Sequence, residues 1–225
     1  MTLWYATRAF GVVALLLLTA TVILGIAGTA RFAAPGLPRV VTAGLHRNLS
    51  LLVLALVALH VLTTIADGYA RIGVASAVVP FDSAYRGLWL GLGTVAFNML
   101  LAVALTSLLR DRLSRRAWRS VHWLAYACWP VALWHGLGTG TDSKVPWLLV
   151  IDAVCVAGVA GAVCWRLSLA APGRGRTAAL TALAVLPLAT GIFVYIGPLQ
   201  PHWAERAGTP PAILHSRAVG AGGRR

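Results

Sequence analysis

Four histidines lie inside apolar stretches of the chain, in two pairs of nearly equal spacing. His46 and His60 are 14 residues apart, and His122 and His135 are 13 residues apart. On a helix that rises about 1.5 Å per residue, each pair spans roughly 20 Å. An ionisable side chain inside a bilayer is costly and usually functional. Because imidazole is a common axial ligand of haem iron, two helices with histidines at two matching depths can hold two metals, one above the other.

The composition is that of an integral membrane protein. Of the 225 residues, 59% are hydrophobic and 11% are charged, and the mean hydropathy is +0.79. A soluble domain carries about 25% charged residues, and a helix that spans a bilayer needs about 20 apolar residues. Six stretches meet this need: 9–30, 48–66, 87–109, 120–141, 145–165 (interrupted only by Asp152) and 177–204. We therefore expect an all-α integral membrane protein with six transmembrane helices in one bundle.

The net charge of +13 does not indicate a nucleic-acid partner. The basic residues cluster in short loops between apolar stretches, as topology determinants do, and no soluble basic region is interleaved with aromatic residues. The three cysteines, Cys128, Cys155 and Cys164, lie in apolar stretches and form no C-x-x-C-H motif. Neither a covalently attached c-type haem nor a zinc site is therefore expected.

The apolar stretches predict helices over about 5–30, 42–66, 87–109, 118–139, 146–168 and 177–197. Residues 67–86 mix glycine, Pro80 and two aspartates, and they predict a segment that lies at the membrane surface. We expect residues 1–197 to form one helical domain. Residues 198–225 are rich in proline, glycine and alanine, which predicts a flexible C-terminal tail.

Loop arginines predict the orientation of the helices. The loop between the third and fourth predicted helices holds five arginines and one aspartate, and the loops between helices 1–2 and 5–6 are also basic, whereas the other two are nearly neutral. Because positive loops stay in the cytoplasm, these three loops are predicted to be cytoplasmic and both termini outside. The protein is expected in the plasma membrane as a multi-pass protein.

Depth predicts how the histidines pair. His46 and His122 each lie within three residues of a cytoplasmic arginine, whereas His60 and His135 each lie seven residues before an aspartate of an outer loop. The second and fourth predicted helices run in the same direction, so His46 is expected to face His122 and His60 to face His135.

Helical rotation is a second condition on the pairing. Fourteen residues return a side chain to within about 40° of its starting face, but thirteen residues miss it by about 140°. Pro130 lies between His122 and His135, and a proline kinks a helix and frees backbone groups. We expect the irregularity at Pro130 to bring His135 onto the face of His122.

Two alternatives compete with paired metal ligands. The four histidines can be unrelated buried or interfacial residues, although two pairs at matching depths on co-oriented helices argue against it. A single zinc or copper site fits less well, because ligands roughly 20 Å apart on a helix cannot share one ion and only two histidines meet at each level.

The H-x13-H and H-x12-H spacings on two co-oriented helices resemble the ferric reductase-like transmembrane domain. That superfamily includes ferric-chelate reductases, NADPH oxidases and the membrane haem subunit of the bacterial methionine sulfoxide reductase system. The resemblance covers about residues 5–170. It implies two stacked, non-covalent b-type haems inside the bundle, with His46, His60, His122 and His135 as iron ligands. NADPH oxidases continue into a flavin and nucleotide domain, which we do not find here, so flavin or quinone is expected only through a partner.

Other residues give weaker predictions. Arg39, Arg47, Arg116 and Arg119 are candidates to pair with haem propionates or serve only as topology determinants. Trp129 is expected to fill the space between the haems or to be an ordinary packing residue. Asp152 has two alternatives as well: it either accepts a proton near an outer acceptor site or pairs with Lys144. His202 and His215 are expected to be solvated in the tail.

Together these features predict a di-haem cytochrome b that carries electrons from a cytoplasmic flavoprotein to an outer acceptor, such as ferric iron or a periplasmic reductase. One rival is a haem subunit that oxidises membrane quinol and feeds a periplasmic reductase. The other rival is a haem-free membrane scaffold or transporter. No catalytic residue beyond the haem ligands is predicted.

Overall fold

The computed structural model describes residues 2–30, 38–68, 70, 72–140, 144–170 and 173–214. Throughout these ranges the regular structure is helical. The helices are α1 (Thr2–Thr29), α2 (Arg39–Ala66), α3 (Val74–Val78), α4 (Gly87–Leu108), α5 (Arg115–His122), α6 (Leu124–Thr139), α7 (Pro146–Ser168), α8 (Arg174–Ile196) and α9 (Trp203–Arg206), with a short 3-10 helix at Arg110–Arg112. Asp142 and His215, used in the predictions above, lie outside the described residues, as does Arg31 of the first basic loop.

Five helices of the described chain are long and apolar enough to cross a bilayer: α1, α2, α4, α7 and α8. Their exposed leucines and valines are the surface that lipid covers in a multi-pass membrane protein. The prediction of six such helices is therefore supported for five. The predicted helix over 118–139 is divided at Trp123 into α5, which is amphipathic and basic, and α6, which has 16 residues.

Proline does not cause this division. Pro130 lies inside α6, so the helix continues through it, contrary to our expectation that the irregularity would lie there. At the break, the Trp123 amide donates to the Arg119 carbonyl while the Trp123 carbonyl accepts from the Tyr126 amide, three residues on. A hydrogen bond between residues three apart tightens the backbone. The side chains after His122 therefore point in directions shifted from those of a continuous helix.

The helices form two antiparallel pairs that position the histidines. α1 packs along α2, and α4 packs along α6. α7 packs against α1 and α8. Over the described residues α2 does not pack closely against α5 or α6. Its two histidines nevertheless face one histidine of α5 and one of α6.

The segment between α2 and α4 is anchored to α4. The Thr94 hydroxyl donates to the Ser76 carbonyl, and the Asn98 amide donates to the Val78 carbonyl. The short helix α3 therefore lies along α4, consistent with the prediction that residues 67–86 do not span the membrane.

The C-terminal segment, residues 198–214, packs on the bundle. Pro198 and Ala207 are buried, and the Trp203 indole lies 5.5 Å from that of Trp89 between ring centroids. This differs from the prediction of a flexible tail. The proline- and glycine-rich composition indicates weak helix propensity. It does not predict that aromatic rings of α4 and α8 pack against Trp203 of this segment.

Candidate functional site

α2, α5 and α6 bring the four histidines together as two pairs. The imidazole centroids of His46 and His122 are 6.3 Å apart, with ring planes inclined at 68°. Those of His60 and His135 are 6.2 Å apart, inclined at 82°. A metal bonded to one nitrogen of each ring at about 2 Å, with each ring centre about 1 Å further back, requires centroids about 6 Å apart. Both separations therefore suit two imidazoles that share one metal ion.

Backbone carbonyls of the neighbouring helices fix three of the imidazoles. Nδ1 of His46 lies 3.0 Å from the Thr21 carbonyl oxygen, and Nδ1 of His60 lies 2.8 Å from that of Thr7. Nδ1 of His135 lies 2.9 Å from the carbonyl oxygen of Trp89. Because a carbonyl can only accept, Nδ1 must donate in each case, and Nε2 keeps its lone pair for a metal. Metal-bound histidines are usually held in this way, which also raises their basicity.

A glycine four residues after each of these carbonyls lets the imidazole approach. A Cβ added at Gly11 would lie 3.1 Å from the His60 ring, and one at Gly25 would lie 3.3 Å from the His46 ring. At Gly93 the added Cβ would lie 2.5 Å from the His135 ring. We call this arrangement, a carbonyl at one position and a glycine four residues later on the same imidazole, the carbonyl–glycine motif.

The motif occurs twice on α1 with the histidine spacing. Thr7–Gly11 contacts His60, and Thr21–Gly25 contacts His46. The two units are 14 residues apart on α1, as the two histidines are on the antiparallel α2. Sequence reasoning missed these residues. The repeated T-x3-G at a spacing equal to that of the α2 histidines is the signal that could have found them.

His122 is held differently. Among the described residues its buried Nδ1 has no hydrogen-bond partner, and its ring stacks on Trp118 at 4.8 Å between centroids. The positions 14 residues after Trp89 and Gly93 are Val103 and Ser107, so α4 does not repeat the glycine. The His46–His122 pair thus has one restrained imidazole, whereas the His60–His135 pair has two.

An apolar layer separates the two pairs. Val53, seven residues from each α2 histidine, and Trp129, seven residues after His122, belong to one buried cluster. The Trp129 indole Nε1 donates to the Thr19 hydroxyl at 2.8 Å. Trp129 is therefore buried and anchored to α1.

Two of the four predicted arginines line one cleft. Arg116 and Arg119 border a cleft of about 440 Å³ together with Arg115. Arg39 and Arg47 are exposed on α2. An adjoining cleft of about 480 Å³ includes Arg110 and Trp118 among its lining residues, and the Arg110 guanidinium lies over the Trp118 ring.

The remaining candidates lie on other elements than the four histidines. Asp152 is half-buried in α7 and, within the part of the chain that the structure describes, forms no ion pair with Lys144. His202 is exposed, with Nδ1 3.6 Å from a Glu205 carboxylate oxygen. No group of three or more histidine, cysteine or acidic side chains suited to a metal occurs among the described residues, so each pair offers two protein ligands.

A family model described as the ferric reductase like transmembrane component matches residues 10–133. This is more than half of the chain. The chain belongs to the ferric reductase-like transmembrane family. The resemblance predicted from the histidine spacing is thereby confirmed, and the family supports a multi-pass membrane component of electron transfer.

The match covers most of α1, all of α2 and α4, and three of the four histidines. His135 lies two residues beyond it. No curated protein and no solved structure matches the chain.

Proposed function

We propose that this protein is a di-haem cytochrome b that carries electrons across the plasma membrane, from a cytoplasmic donor to an outer acceptor. His46 with His122 and His60 with His135 would hold two non-covalent b-type haems. The observation that carries the proposal is the separation of 6.3 Å and 6.2 Å between the imidazoles of α2 and those of α5 and α6, two helices that do not pack closely against α2. Haem bound there supplies one-electron redox chemistry.

The chain itself orients the ligands and keeps water away. Three Nδ1–H groups are held by carbonyls, so each Nε2 lone pair keeps a fixed direction. The packed layer that includes Val53 and Trp129 fills the space between the two levels with apolar atoms. A dry, fixed environment lowers the reorganisation that accompanies a change of charge.

Loop charge supports the direction of transfer. With the basic loops in the cytoplasm, the His46–His122 pair is the inner pair and the His60–His135 pair is the outer pair. The basic surface, defined as Arg110, Arg112, Arg115 and Arg116, is exposed. It lies beside Trp118, which stacks on His122, so it suits an acidic cytoplasmic flavoprotein that delivers electrons at the inner pair.

The haem content tests the proposal directly. Protein purified from cells supplied with haem should give two haems b per chain in a pyridine haemochrome assay, with the visible spectrum of six-coordinate, low-spin iron. Less than half a haem per chain would refute the proposal and favour the haem-free scaffold. Reduction by quinol, but not by a flavoprotein, would keep the two haems and replace the donor.

Histidine variants test the assignment of each pair. His60→Ala and His135→Ala should remove chiefly the outer haem, and His46→Ala and His122→Ala chiefly the inner one, because each variant removes one of only two protein ligands at its level. Haem content and redox titration of folded protein measure this. Equal loss of both haems from all four variants would contradict the pairing.

A further inference from the structure

Arg86 joins three parts of the chain at one end of the bundle. Its side chain is 1% exposed, and its backbone is left-handed, with φ of 46°, a conformation uncommon for a residue with a Cβ. Its amide donates to the Gly208 carbonyl, and its Nε donates to the Thr209 hydroxyl at 2.9 Å. The guanidinium therefore ties the start of α4 to the C-terminal segment.

The same guanidinium holds the end of α6. One Nη donates to the carbonyls of Gly138 and Thr139, both at 3.0 Å, and to that of Gly140 at 3.3 Å. These are carbonyls of the last helical turn, which lack partners within the helix. A cation there also complements the negative end of the helix dipole.

His135 lies between these contacts. It precedes Gly138 by three residues, and its Nδ1 donates to the carbonyl of Trp89, which follows Arg86 by three residues. A Cβ at Gly138 would overlap the Trp89 indole, so α4 and α6 touch at this point. Any shift of one helix end against the other would change the distance from His135 to its acceptor.

We infer that Arg86 is a positioning residue for the outer haem ligand His135, acting through the Trp89 carbonyl and anchored from the other side by Thr209. The inference rests on the proposed function. Arginine suits this role because its planar fork reaches α6 and the C-terminal segment at once, whereas the single ammonium of lysine cannot bond both sets of acceptors in the same geometry. Within the C-terminal segment, Gly208 and Thr209 thereby support the outer site.

Three variants of the full chain test the inference. Arg86→Lys keeps the charge and loses the fork, and Thr209→Val removes only the hydroxyl that accepts from Nε. Arg206→Lys is the matched control, because Arg206 is an exposed arginine of the same segment that donates to the Ile196 carbonyl. The rate at which each haem transfers to an excess of a haem-scavenging apoprotein is measured, together with its midpoint potential and spin state.

Arg86→Lys should speed loss of the outer haem about 10-fold, the lower end of the range for removing the direct hydrogen-bond partner of a metal-bound histidine, and convert part of it to high spin. Thr209→Val should give a smaller change in the same direction. The inner haem, and both haems of Arg206→Lys, should stay within about twofold of the wild type. The difference between two haems in one molecule is a readout that a general loss of stability does not produce.

If the wild type binds two haems and neither Arg86→Lys nor Thr209→Val affects the outer haem, the inference is overturned and the proposed function is not. Equal weakening of both haems in these two variants would also overturn it, because Arg86 would then be a general stabilising residue. A wild-type protein without haem would instead overturn the proposed function, and the inference with it.

Discussion

Replacing the glycine of each carbonyl–glycine motif by alanine should weaken haem binding, and most where the added Cβ would lie nearest the imidazole. At Gly93 an added Cβ lies 2.5 Å from the His135 ring, whereas carbon atoms pack best at about 3.5–4.0 Å. The ring or the helix must therefore move by about 1 Å. Such a shift lengthens the 2.9 Å contact between Nδ1 and the Trp89 carbonyl beyond hydrogen-bonding range.

The magnitude follows from two effects on the His135 ring. Overpacking costs about 1–3 kcal/mol and the lost hydrogen bond about 1 kcal/mol. The helix propensity of alanine stabilises the chain with and without haem, so it does not change haem affinity. Gly93→Ala should therefore weaken the outer site by about 2–4 kcal/mol, which is roughly 30- to 900-fold in affinity. At Gly11 the added Cβ lies at 3.1 Å, so the effect should be smaller, and at Gly25, at 3.3 Å, it should be the smallest of the three.

Two glycines on the same helices serve as controls. An added Cβ meets nothing within 4 Å at Gly28 on α1, and at Gly87 on α4 only the Phe81 carbonyl at 4.0 Å. Haem dissociation from each variant is measured by transfer to a scavenging apoprotein. The expected order of rates is Gly93→Ala, then Gly11→Ala, then Gly25→Ala, with both controls at the wild-type rate. Equal rates for Gly93→Ala and Gly87→Ala, or loss of the inner haem first in Gly93→Ala, would refute the reasoning.

Three further outcomes are expected. In intact cells a cysteine placed by Ser114→Cys should resist an impermeant thiol reagent and one placed by Lys144→Cys should react, with the parent chain as control; the reverse labelling would invert the proposed direction of transfer. The isolated, flavin-free protein should be reduced by dithionite but not by NADPH, and reduction by an acidic flavoprotein should slow as salt rises, whereas a salt-independent rate would exclude docking on the basic surface. Trp129→Phe removes the hydrogen bond to Thr19 and should lower the free energy of unfolding in detergent by about 1 kcal/mol without changing either haem spectrum; a changed spectrum would show that Trp129 contacts haem.

The sequence by itself determined which of the four histidines face each other. Position along a membrane helix is a one-dimensional quantity, so residue counts from the charged loops were sufficient to pair His46 with His122 and His60 with His135. The ring separations in the structure agree with that pairing. Composition likewise determined the all-helical membrane class, because long uncharged stretches have few other stable states.

Tertiary structure alone decided what surrounds each imidazole. The acceptors of the Nδ1 protons are backbone carbonyls, which every residue type carries, so the residue type of Trp89 does not identify it as an acceptor. On α1 the repeated T-x3-G is the one sequence sign of these contacts. The sequence does not separate Arg86 from the other loop arginines, because its acceptors are carbonyls more than 50 residues away along the chain. The helix breaks at Trp123 and not at Pro130 as expected, because the break depends on local hydrogen bonds. These features arise from lateral packing between helices, which periodicity along one helix does not encode.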